Sequence, residues 1–307
     1  MAAPPVTIGT RGSPLALAQA RMVAQALEKA HGWAAGSVRI LPVKTSGDRI
    51  QDRPLAEVGG KALWTKELDL ALLAGDTDCS VHSMKDVESE RPETLAIAAM
   101  LPRADVRDRL IGADSIEGLA KGAVVGTSSP RRTAQLKRLR PDLNTVSIRG
   151  NVDTRLAKLA SGEVDATLLA AAGLDRLGRP DVGTAIESSQ MLSAPGQGAI
   201  GIECRADDAM TSSLLSAIDH RETHAAVLAE RAFTRALGGT CHSPVGALAQ
   251  VDGGEIALSC EILSEDGRDH VADRVRFLIG DFAEAEALAR RMLGAAPRSI
   301  RDLFEPS

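Results

Sequence analysis

The phrase VTIGTRGSPLALAQA at residues 6–20 returns at residues 123–139 as AVVGTSSPRRTAQLKRL. Both copies run from a short apolar segment through Gly-Thr to Ser-Pro and then into an amphipathic segment. Serine followed by proline is a common start of a helix, because the serine hydroxyl caps the first turn and proline fits the first helical position. Each copy therefore predicts a strand that leads through a tight turn into a helix.

A second pair of phrases lies further along the chain. Residues 68–81 are LDLALLAGDTDCSV, and residues 156–169 are LAKLASGEVDATLL. In both, a helical pattern closes on glycine and an aspartate precedes the next apolar segment. The two pairs of phrases predict two similar α/β units, beginning near residues 5 and 105, although βαβ units in general have such residues at the ends of their helices and strands. Strands that alternate with helices indicate largely parallel sheets, whose ligands bind at the carboxyl ends of the strands.

The pattern changes after Cys204. Helical segments give way to strands separated by Asp-Gly turns at residues 252–254 and 266–267, and a last helix follows. We therefore predict two similar doubly wound α/β domains that face each other across a cleft, and a smaller C-terminal α+β domain. The predicted boundaries are 1–101 with 197–218 for the first domain, 102–196 for the second and 219–307 for the third.

Composition argues against several classes of protein. The 307 residues carry a net charge of -5, so there is no overall positive charge for nucleic acid or an anionic membrane. There is no tyrosine, and two tryptophans and four phenylalanines are too few for a base-stacking platform. No apolar run reaches the roughly 18 residues of a transmembrane helix, and the first residues do not have the pattern of a signal peptide. We expect a cytoplasmic protein that binds neither nucleic acid nor membrane.

Basic residues concentrate between residues 131 and 155. Arg131 and Arg132 fall in the first turn of a predicted helix, where the helix dipole disfavours cations. Their placement predicts a bound anion, which the free N–H groups of the helix start and the hydroxyl of Ser129 would also bind. Arg149 precedes a second helix in the same way. The sequence has neither a P-loop nor a dinucleotide GxGxxG motif, so a polycarboxylate suits the arginine forks better than a nucleotide.

Two other arginines of this stretch, Arg138 and Arg140, are expected on a solvated charged face. The motif HSMKDV places Lys85 and Asp86 at the end of a predicted strand, where sheets of this kind present catalytic groups. Asp86 is a candidate for stabilising a cation or moving a proton, although an aspartate at a strand end is more often a turn former. His82 is expected to be structural.

Cys241 differs from the other three cysteines. It lies in a Gly-Gly-Thr-Cys-His-Ser-Pro turn, where a thiolate could act as a nucleophile or a covalent anchor. Cys79, Cys204 and Cys260 lie in apolar strand patterns and are expected to be inert core residues. No metal site is predicted, because apart from the adjacent histidine no other cysteine or histidine falls at ligand spacing.

Eight motifs, taken in order, resemble those of the porphobilinogen deaminase family, also called hydroxymethylbilane synthase. They are RGSPLALAQA at 11–20, GGKALWTKEL at 59–68, VHSMKDV at 81–87, GTSSPRR at 126–132, RGNVDTRL at 149–156, AAGLDRLG at 171–178, GQGAIGIECR at 196–205 and the Cys241 turn. The resemblance implies lobes of the periplasmic-binding-protein type and a transferase. The implied reaction joins four porphobilinogen molecules head to tail into hydroxymethylbilane and releases ammonia at each condensation. The implied cofactor is dipyrromethane, one per chain, attached to Cys241 by a thioether.

The resemblance also implies roles for individual residues. Because porphobilinogen carries acetate and propionate groups, the growing chain is a polyanion, which suits an arginine-lined cleft. Asp86 would stabilise the cation that remains when ammonia leaves, with Lys85 beside it, and residues 45–60 would cover the cleft. The residues expected to bind the cofactor and substrate carboxylates are Arg11, Ser13, Gln19, Lys85, Thr127, Ser129, Arg131, Arg132, Arg149, Arg155, Arg176 and Gln197. No metal and no obligate protein partner is implied.

Two alternatives come from other classes of protein. Two α/β lobes that close on an anion without catalysis would make a solute-binding protein, but such proteins are normally exported and have no use for Cys241. A ligand-sensing regulatory module would need an attached DNA-binding segment, for which the sequence shows no signal. The two classes differ from an enzyme in one measurable respect, because neither predicts a covalent pyrrole adduct.

Overall fold

The computed structural model describes residues 5–44, 65–239 and 243–304 of the chain. The chain divides into two compact units, Met1–Ala104 with Ala199–His224 and Asp105–Gly198 with Ala225–Ser307. Each unit contains a five-stranded sheet, and the second unit also contains a three-stranded sheet. The predicted boundaries of three separate domains stay a prediction.

Strands and helices occur where the two repeated phrases predict them. The strands are β1 (Thr7–Arg11), β2 (Arg39–Val43), β3 (Cys79–Ser83), β4 (Leu95–Met100), β5 (Asp108–Ile111), β6 (Val124–Gly126), β7 (Asn144–Val146), β8 (Ala166–Ala170), β9 (Thr184–Ile186), β10 (Ile200–Arg205), β11 (Val245–Asp252), β12 (Glu255–Leu263) and β13 (His270–Leu278). The helices are α1 (Pro14–His31), α2 (Lys66–Leu73), α3 (Pro130–Leu139), α4 (Val152–Ala160), α5 (Ala171–Arg176), α6 (Ala209–Ser216), α7 (Arg221–Ala236), α8 (Ala283–Ala295) and α9 (Arg298–Arg301).

The two five-stranded sheets have the same topology. Their orders are β2-β1-β3-β10-β4 and β7-β6-β8-β5-β9, so β1 corresponds to β6, β3 to β8 and β10 to β5. In each sheet only the fourth strand, β10 or β5, runs antiparallel to its neighbours. The prediction of two similar, largely parallel α/β units is therefore confirmed.

Both Ser-Pro phrases start helices. The Ser13 hydroxyl accepts a hydrogen bond from the Ala16 amide at 3.3 Å, and the Ser129 hydroxyl accepts one from the Arg132 amide at 3.5 Å. A proline opens each helix. Because a cap satisfies an amide that the helix itself leaves unpaired, the two serines fix where the chain turns away from β1 and β6.

The three-stranded sheet is antiparallel, in the order β11-β12-β13. One of its faces belongs to an apolar core that includes Phe233 of α7 and Leu288 of α8. Its predicted glycine turns are present, with positive φ at Gly253 and Gly267. Gly267 also lies against α3: a Cβ there would sit 2.2 Å from the Ala134 carbonyl oxygen, so a side chain cannot be accommodated.

Candidate functional site

The end of β3 presents the predicted catalytic carboxylate. After Ser83 the chain makes one 3-10 turn, Met84–Asp86, so that Asp86 lies at the carboxyl end of a central strand. Gly201 of β10 makes room for this turn, because a Cβ at that position would lie 2.1 Å from the Met84 sulfur. The motif GQGAIGIECR therefore has a local purpose, which is to let the turn that carries Asp86 pack against β10.

Asp86 lines a small, open pocket in the first unit. The same pocket is lined by Arg11, Ser13 and Gln19, which come from the first copy of the repeated phrase. The Gln19 amide nitrogen donates to the Ser83 hydroxyl at 2.8 Å, and the Ser83 hydroxyl lies 3.2 Å from the Gln19 amide oxygen. This contact fixes α1 to the strand end. Within the described residues the Asp86 carboxylate accepts no hydrogen bond, so its oxygens remain able to bind a ligand.

A buried ionic network adjoins this pocket through His82, which also lines it. The Arg91 guanidinium donates to both oxygens of Glu203 at 2.7 and 3.0 Å and to Asp69 at 2.6 Å. His82, predicted to be structural, is buried, and its Nε2 lies 2.9 Å from Glu203. Burial raises the pKa of Glu203, but His82 and Arg91 overcome that effect and lower it to about 2. Glu203 is therefore a buried, ionised carboxylate.

Replacing Glu203 with glutamine should destabilise the first unit in a pH-dependent way. A carboxyl whose pKa falls from 4.5 to about 2 on folding contributes stability above pH 4.5 and loses it as the pH falls through about 2. We expect Glu203→Gln to lower the free energy of unfolding by about 3 kcal/mol at pH 7, with the difference shrinking as the pH approaches 2. Urea unfolding followed by circular dichroism between pH 2 and 7 measures this. A constant difference across that range would contradict the assignment.

In the second unit one carboxylate holds both predicted anion-binding arginines. Asp108, at the start of β5, accepts hydrogen bonds from Arg131 at 2.8 Å and from Arg132 at 2.7 Å. The exposed fractions are 1% for Asp108, 3% for Arg131 and 5% for Arg132. Burial raises the pKa of Asp108, but the two guanidinium groups outweigh it and hold the pKa well below its usual range. The chain thus supplies one anion for two buried cations, which leaves one positive charge uncompensated by this group.

Three predicted arginines keep an unused donor. The Nε–H groups of Arg131, Arg132 and Arg176 are buried, and none has a hydrogen-bond partner among the described residues. Burial lowers the pKa of Arg176 to about 10, which still leaves it charged at neutral pH. Its remaining contact is a hydrogen bond of 2.6 Å to the Gly198 carbonyl oxygen. Buried guanidinium donors without partners are costly, and a bound carboxylate would satisfy them; the Nε–H groups of Arg109 and Arg138 also lack partners among the described residues, so this feature is not specific to a binding site.

The remaining predicted residues of this unit lie on neighbouring turns. Ser129 donates its amide to the Thr127 hydroxyl at 3.2 Å, and Arg155 donates to the Ser128 hydroxyl at 3.4 Å and to the Gly150 carbonyl at 3.1 Å. Gln197 donates to Asp108 at 2.8 Å. Arg149 is half-buried just before α4. The predicted residues therefore fall into three groups. One group in the second unit contains Thr127, Ser129, Arg131, Arg132 and Gln197, and Arg149 and Arg155 lie at the start of the next helix. The first unit contains Arg11, Ser13, Gln19, Lys85 and Asp86.

The expectation of a solvated face for Arg138 and Arg140 is wrong. Arg138 is half-buried, donates to the Gln190 carbonyl at 3.0 Å and lies 3.9 Å from Glu261. Arg140 binds Asp142 and three backbone carbonyls at the end of the preceding segment. Both side chains therefore hold α3 against neighbouring segments, because one guanidinium group can donate hydrogen bonds to several carbonyls at once. Cys241 and residues 45–60 lie outside the described residues.

Two acidic residues escaped the sequence analysis. Asp108 and Glu203 each stand in a short, mostly buried strand, DRLI and IGIECR, and each neutralises an arginine from outside that strand. The signal that could have found them is the mismatch itself, since an acid in a buried strand needs a cationic partner. The arginine that pairs with each acid is more than twenty residues away along the chain, so local spacing in the sequence does not predict the pair.

Comparisons with known proteins bear on the whole chain. Residues 6–213 match the family described as "Porphobilinogen deaminase, dipyromethane cofactor binding domain", and residues 224–294 match "Porphobilinogen deaminase, C-terminal domain". The chain belongs to the porphobilinogen deaminase family. A porphobilinogen deaminase of Sphingopyxis alaskensis is 60% identical over 98% of this chain and 96% of that protein. One from Paracoccus denitrificans is 50% identical over 97% and 96%. The predicted resemblance is confirmed.

Solved structures of solute-binding proteins are more distant. A TRAP periplasmic solute binding protein from Desulfovibrio salexigens is 12% identical, with a TM-score of 0.41 over 72% of this chain and 74% of that chain. A periplasmic substrate-binding protein of an ABC transporter from Coxiella burnetii is 15% identical, with a TM-score of 0.41 over 74% and 95%. These likenesses add nothing to the site, whose description comes from the chain's own topology and contacts.

Two features are absent from residues 5–44, 65–239 and 243–304. No helix in these ranges is both long and apolar enough to cross a membrane. The same ranges contain no cluster of three or more histidine, cysteine, aspartate or glutamate side chains suited to holding a metal ion.

Proposed function

We propose that Asp86 is the catalytic carboxylate of a transferase that polymerises porphobilinogen in tetrapyrrole synthesis. The polymerising activity follows from the family to which the chain belongs and from relatives that match nearly its full length. Each condensation breaks the bond between the aminomethyl carbon and its nitrogen, releases ammonia and forms one carbon–carbon bond to the next pyrrole. Four porphobilinogen molecules and one water give one hydroxymethylbilane and four molecules of ammonia.

The position of Asp86 carries this proposal. Its carboxylate lines a pocket beside Arg11 and Ser13, on a turn packed against Gly201. When ammonia leaves porphobilinogen, the methylene carbon and its pyrrole become cationic. A carboxylate already fixed in the pocket stabilises that charge without reorganising, which lowers the barrier for its formation. Lys85, on the same turn, supplies a cation for substrate carboxylates.

The arginines of the second unit fit a dipyrromethane with its acetate and propionate groups. The buried Nε–H groups of Arg131, Arg132 and Arg176 have no hydrogen-bond partner among the described residues, and a carboxylate accepts two such donors at once. When bound, the dipyrromethane supplies the end from which the tetrapyrrole chain grows. We infer that the following residues bind its carboxylates or those of the growing chain: Arg11, Ser13, Gln19, Lys85, Thr127, Ser129, Arg131, Arg132, Arg149, Arg155, Arg176 and Gln197.

The covalent anchor in this proposal is Cys241. Family membership supports a dipyrromethane cofactor, and Cys241 lies within residues 224–294, which match the C-terminal domain of the same family. The other three cysteines are buried in apolar cores. In the thioether a sulfur–carbon bond replaces the S–H bond of the cysteine, and each chain holds one dipyrromethane. We also infer that the enzyme works in the cytoplasm, without an obligate protein partner.

Arg176→Gln tests the carboxylate-binding role. The substitution keeps a hydrogen-bond donor near the Gly198 carbonyl but removes the charge, and a hydrogen bond to a charged group contributes about 1.5–3 kcal/mol. We expect a rise of at least about tenfold in the KM for porphobilinogen, or an equivalent loss of dipyrromethane-loaded chains by intact mass. Arg290→Gln is the matched control, because that arginine is 65% exposed on α8. Equal effects at the two positions would contradict the role.

Asp108→Asn tests whether this residue positions Arg131 and Arg132. Removing the shared carboxylate leaves two buried guanidinium groups facing each other, a change that costs about 3–5 kcal/mol in comparable buried pairs. We expect a lower urea midpoint and a smaller loaded fraction by intact mass. Glu163→Gln, which breaks an exposed pair with Lys158 in the same unit, should cost at most about 1 kcal/mol. A normal midpoint and normal loading in Asp108→Asn would show that the pair does not organise the site.

A single assay distinguishes the enzyme from a solute-binding protein. Porphobilinogen added to the purified chain should be consumed with one ammonia released for each molecule, and the purified chain should be heavier than its sequence by one dipyrromethane. Saturable binding of porphobilinogen without ammonia release, on a chain of unmodified mass, would overturn the catalytic proposal.

A further inference from the structure

Two of the buried cysteines face each other across neighbouring strands. Cys79 opens β3, Cys204 lies near the end of β10, and the antiparallel register of the two strands places them directly opposite. Their exposed fractions are 0% and 1%, and both side chains belong to the apolar cluster that packs under α1. Both are free thiols. Directly opposite residues on one face of a sheet are in side-chain contact range, so these are a pair and not two isolated thiols.

The backbone pattern makes this a non-hydrogen-bonded pair. The Met84 amide donates to the Ala199 carbonyl at 3.1 Å, so odd-numbered residues at this end of β10 direct their backbone groups towards β3. The Ala206 amide donates at 2.9 Å to a carbonyl on the β4 side, so even-numbered residues face away from β3. Cys204 is even-numbered. In such pairs the Cα atoms are about 4.5 Å apart and the side chains approach more closely than in hydrogen-bonded pairs.

We propose that Cys79 and Cys204 form an oxidisable dithiol, a modification site at which a peroxide makes a cross-strand disulfide. The two thiols supply two electrons, the oxygen–oxygen bond of the peroxide breaks, one sulfur–sulfur bond forms, and both thiol protons leave in two molecules of water when the oxidant is hydrogen peroxide. A Cα separation of about 4.5 Å lies at the short end of the range for disulfides, so a small thiol should reduce the bond readily. This proposal does not depend on the roles assigned to Asp86 or Cys241.

Oxidation should stabilise the first unit. The bond would close a loop that contains most of the chain between residues 79 and 204, and long closed loops restrict the unfolded chain most. We expect the thermal midpoint of the oxidised protein to exceed that of the reduced protein by at least about 5 °C. Burial raises the pKa of both thiols, so the reaction should be slow in the native protein.

Peptide mapping after peroxide treatment tests the proposal. The purified holoenzyme is incubated with graded hydrogen peroxide, quenched with catalase, alkylated in denaturant and digested with trypsin. We expect a disulfide-linked pair of peptides, one ending at Lys85 and one at Arg205, which dithiothreitol separates. Cys260 should remain open to alkylation, because the residues opposite it are Ala247 and Asp273 and not cysteine.

Cysteine variants and a refolding experiment distinguish the pairing of the two thiols from the access of the oxidant to them. Cys79→Ala and Cys204→Ala should each lose the cross-link, and neither should show a rise in thermal midpoint on oxidation. A second arm refolds the wild-type chain from urea with oxidised glutathione, which removes the barrier of burial. Absence of the linked peptides in both arms would overturn the proposal. Cross-links between Cys260 and either cysteine, at equal yield in the native protein, would also overturn it, since they would report unfolded molecules.

Discussion

Cys241→Ser should purify with the mass of its bare sequence and should consume no porphobilinogen. A serine hydroxyl is a far weaker nucleophile than a cysteine thiolate near neutral pH, so the thioether that we infer for dipyrromethane has no equivalent in the variant. Because the family binds a dipyrromethane cofactor and we infer that Cys241 anchors it, this is the largest effect expected of any single change in the chain. Intact mass spectrometry and ammonia release measure the two outcomes independently.

The control for this prediction uses the other cysteines. Cys79→Ala and Cys260→Ala remove buried thiols from apolar cores, where alanine is better tolerated than serine because it buries no hydroxyl. Both variants should keep the adduct and most of the activity. An adduct that persists in Cys241→Ser, or that disappears in Cys260→Ala while the protein remains folded, would show that the anchor is elsewhere.

The repeated phrases predict the fold well because their signals are local. The hydroxyls of Ser13 and Ser129 cap their helices by accepting hydrogen bonds from amides three residues further on, and Gly253 and Gly267 occupy turns that need positive φ. The shared strand order of the two sheets then follows from two similar units. The antiparallel strands β5 and β10 were not predicted, because a strand's direction depends on where distant parts of the chain return to the sheet.

The sequence predicts candidate site residues but not the partners that hold them inside the protein. Arg131 and Arg132 stand where a cation needs an anion, and that demand is visible in the sequence as a conflict with the helix dipole. Asp108, twenty-three residues before Arg131, supplies one of the negative charges that these arginines need. A contact over that distance leaves no periodic pattern in the sequence. For Arg138 the sequence predicts exposure to solvent, but the side chain is half-buried against the Gln190 carbonyl and Glu261 of the same unit.

Asp86→Asn should fold normally and condense porphobilinogen at least about a hundredfold more slowly than the wild type. Asparagine keeps the size and the hydrogen-bonding capacity of the side chain but removes the negative charge, and loss of one preorganised electrostatic contact typically costs about 10² to 10³ in rate. The carboxylate accepts no hydrogen bond from a described residue, so its removal should leave the fold of the turn unchanged. Single-turnover ammonia release measures the chemical step directly.

Asp86→Glu separates charge from position. The glutamate restores the charge but moves it by one methylene, and a displacement of that size within a fixed pocket misaligns the carboxylate with the developing cation, so the variant should recover only part of the rate. Binding of porphobilinogen should survive in both variants, because the arginines that we infer to hold its carboxylates are unchanged. Near-normal ammonia release by Asp86→Asn would show that the aspartate is only a strand-end residue, whereas loss of release together with loss of binding would mean that it shapes the pocket and does not act on the cation.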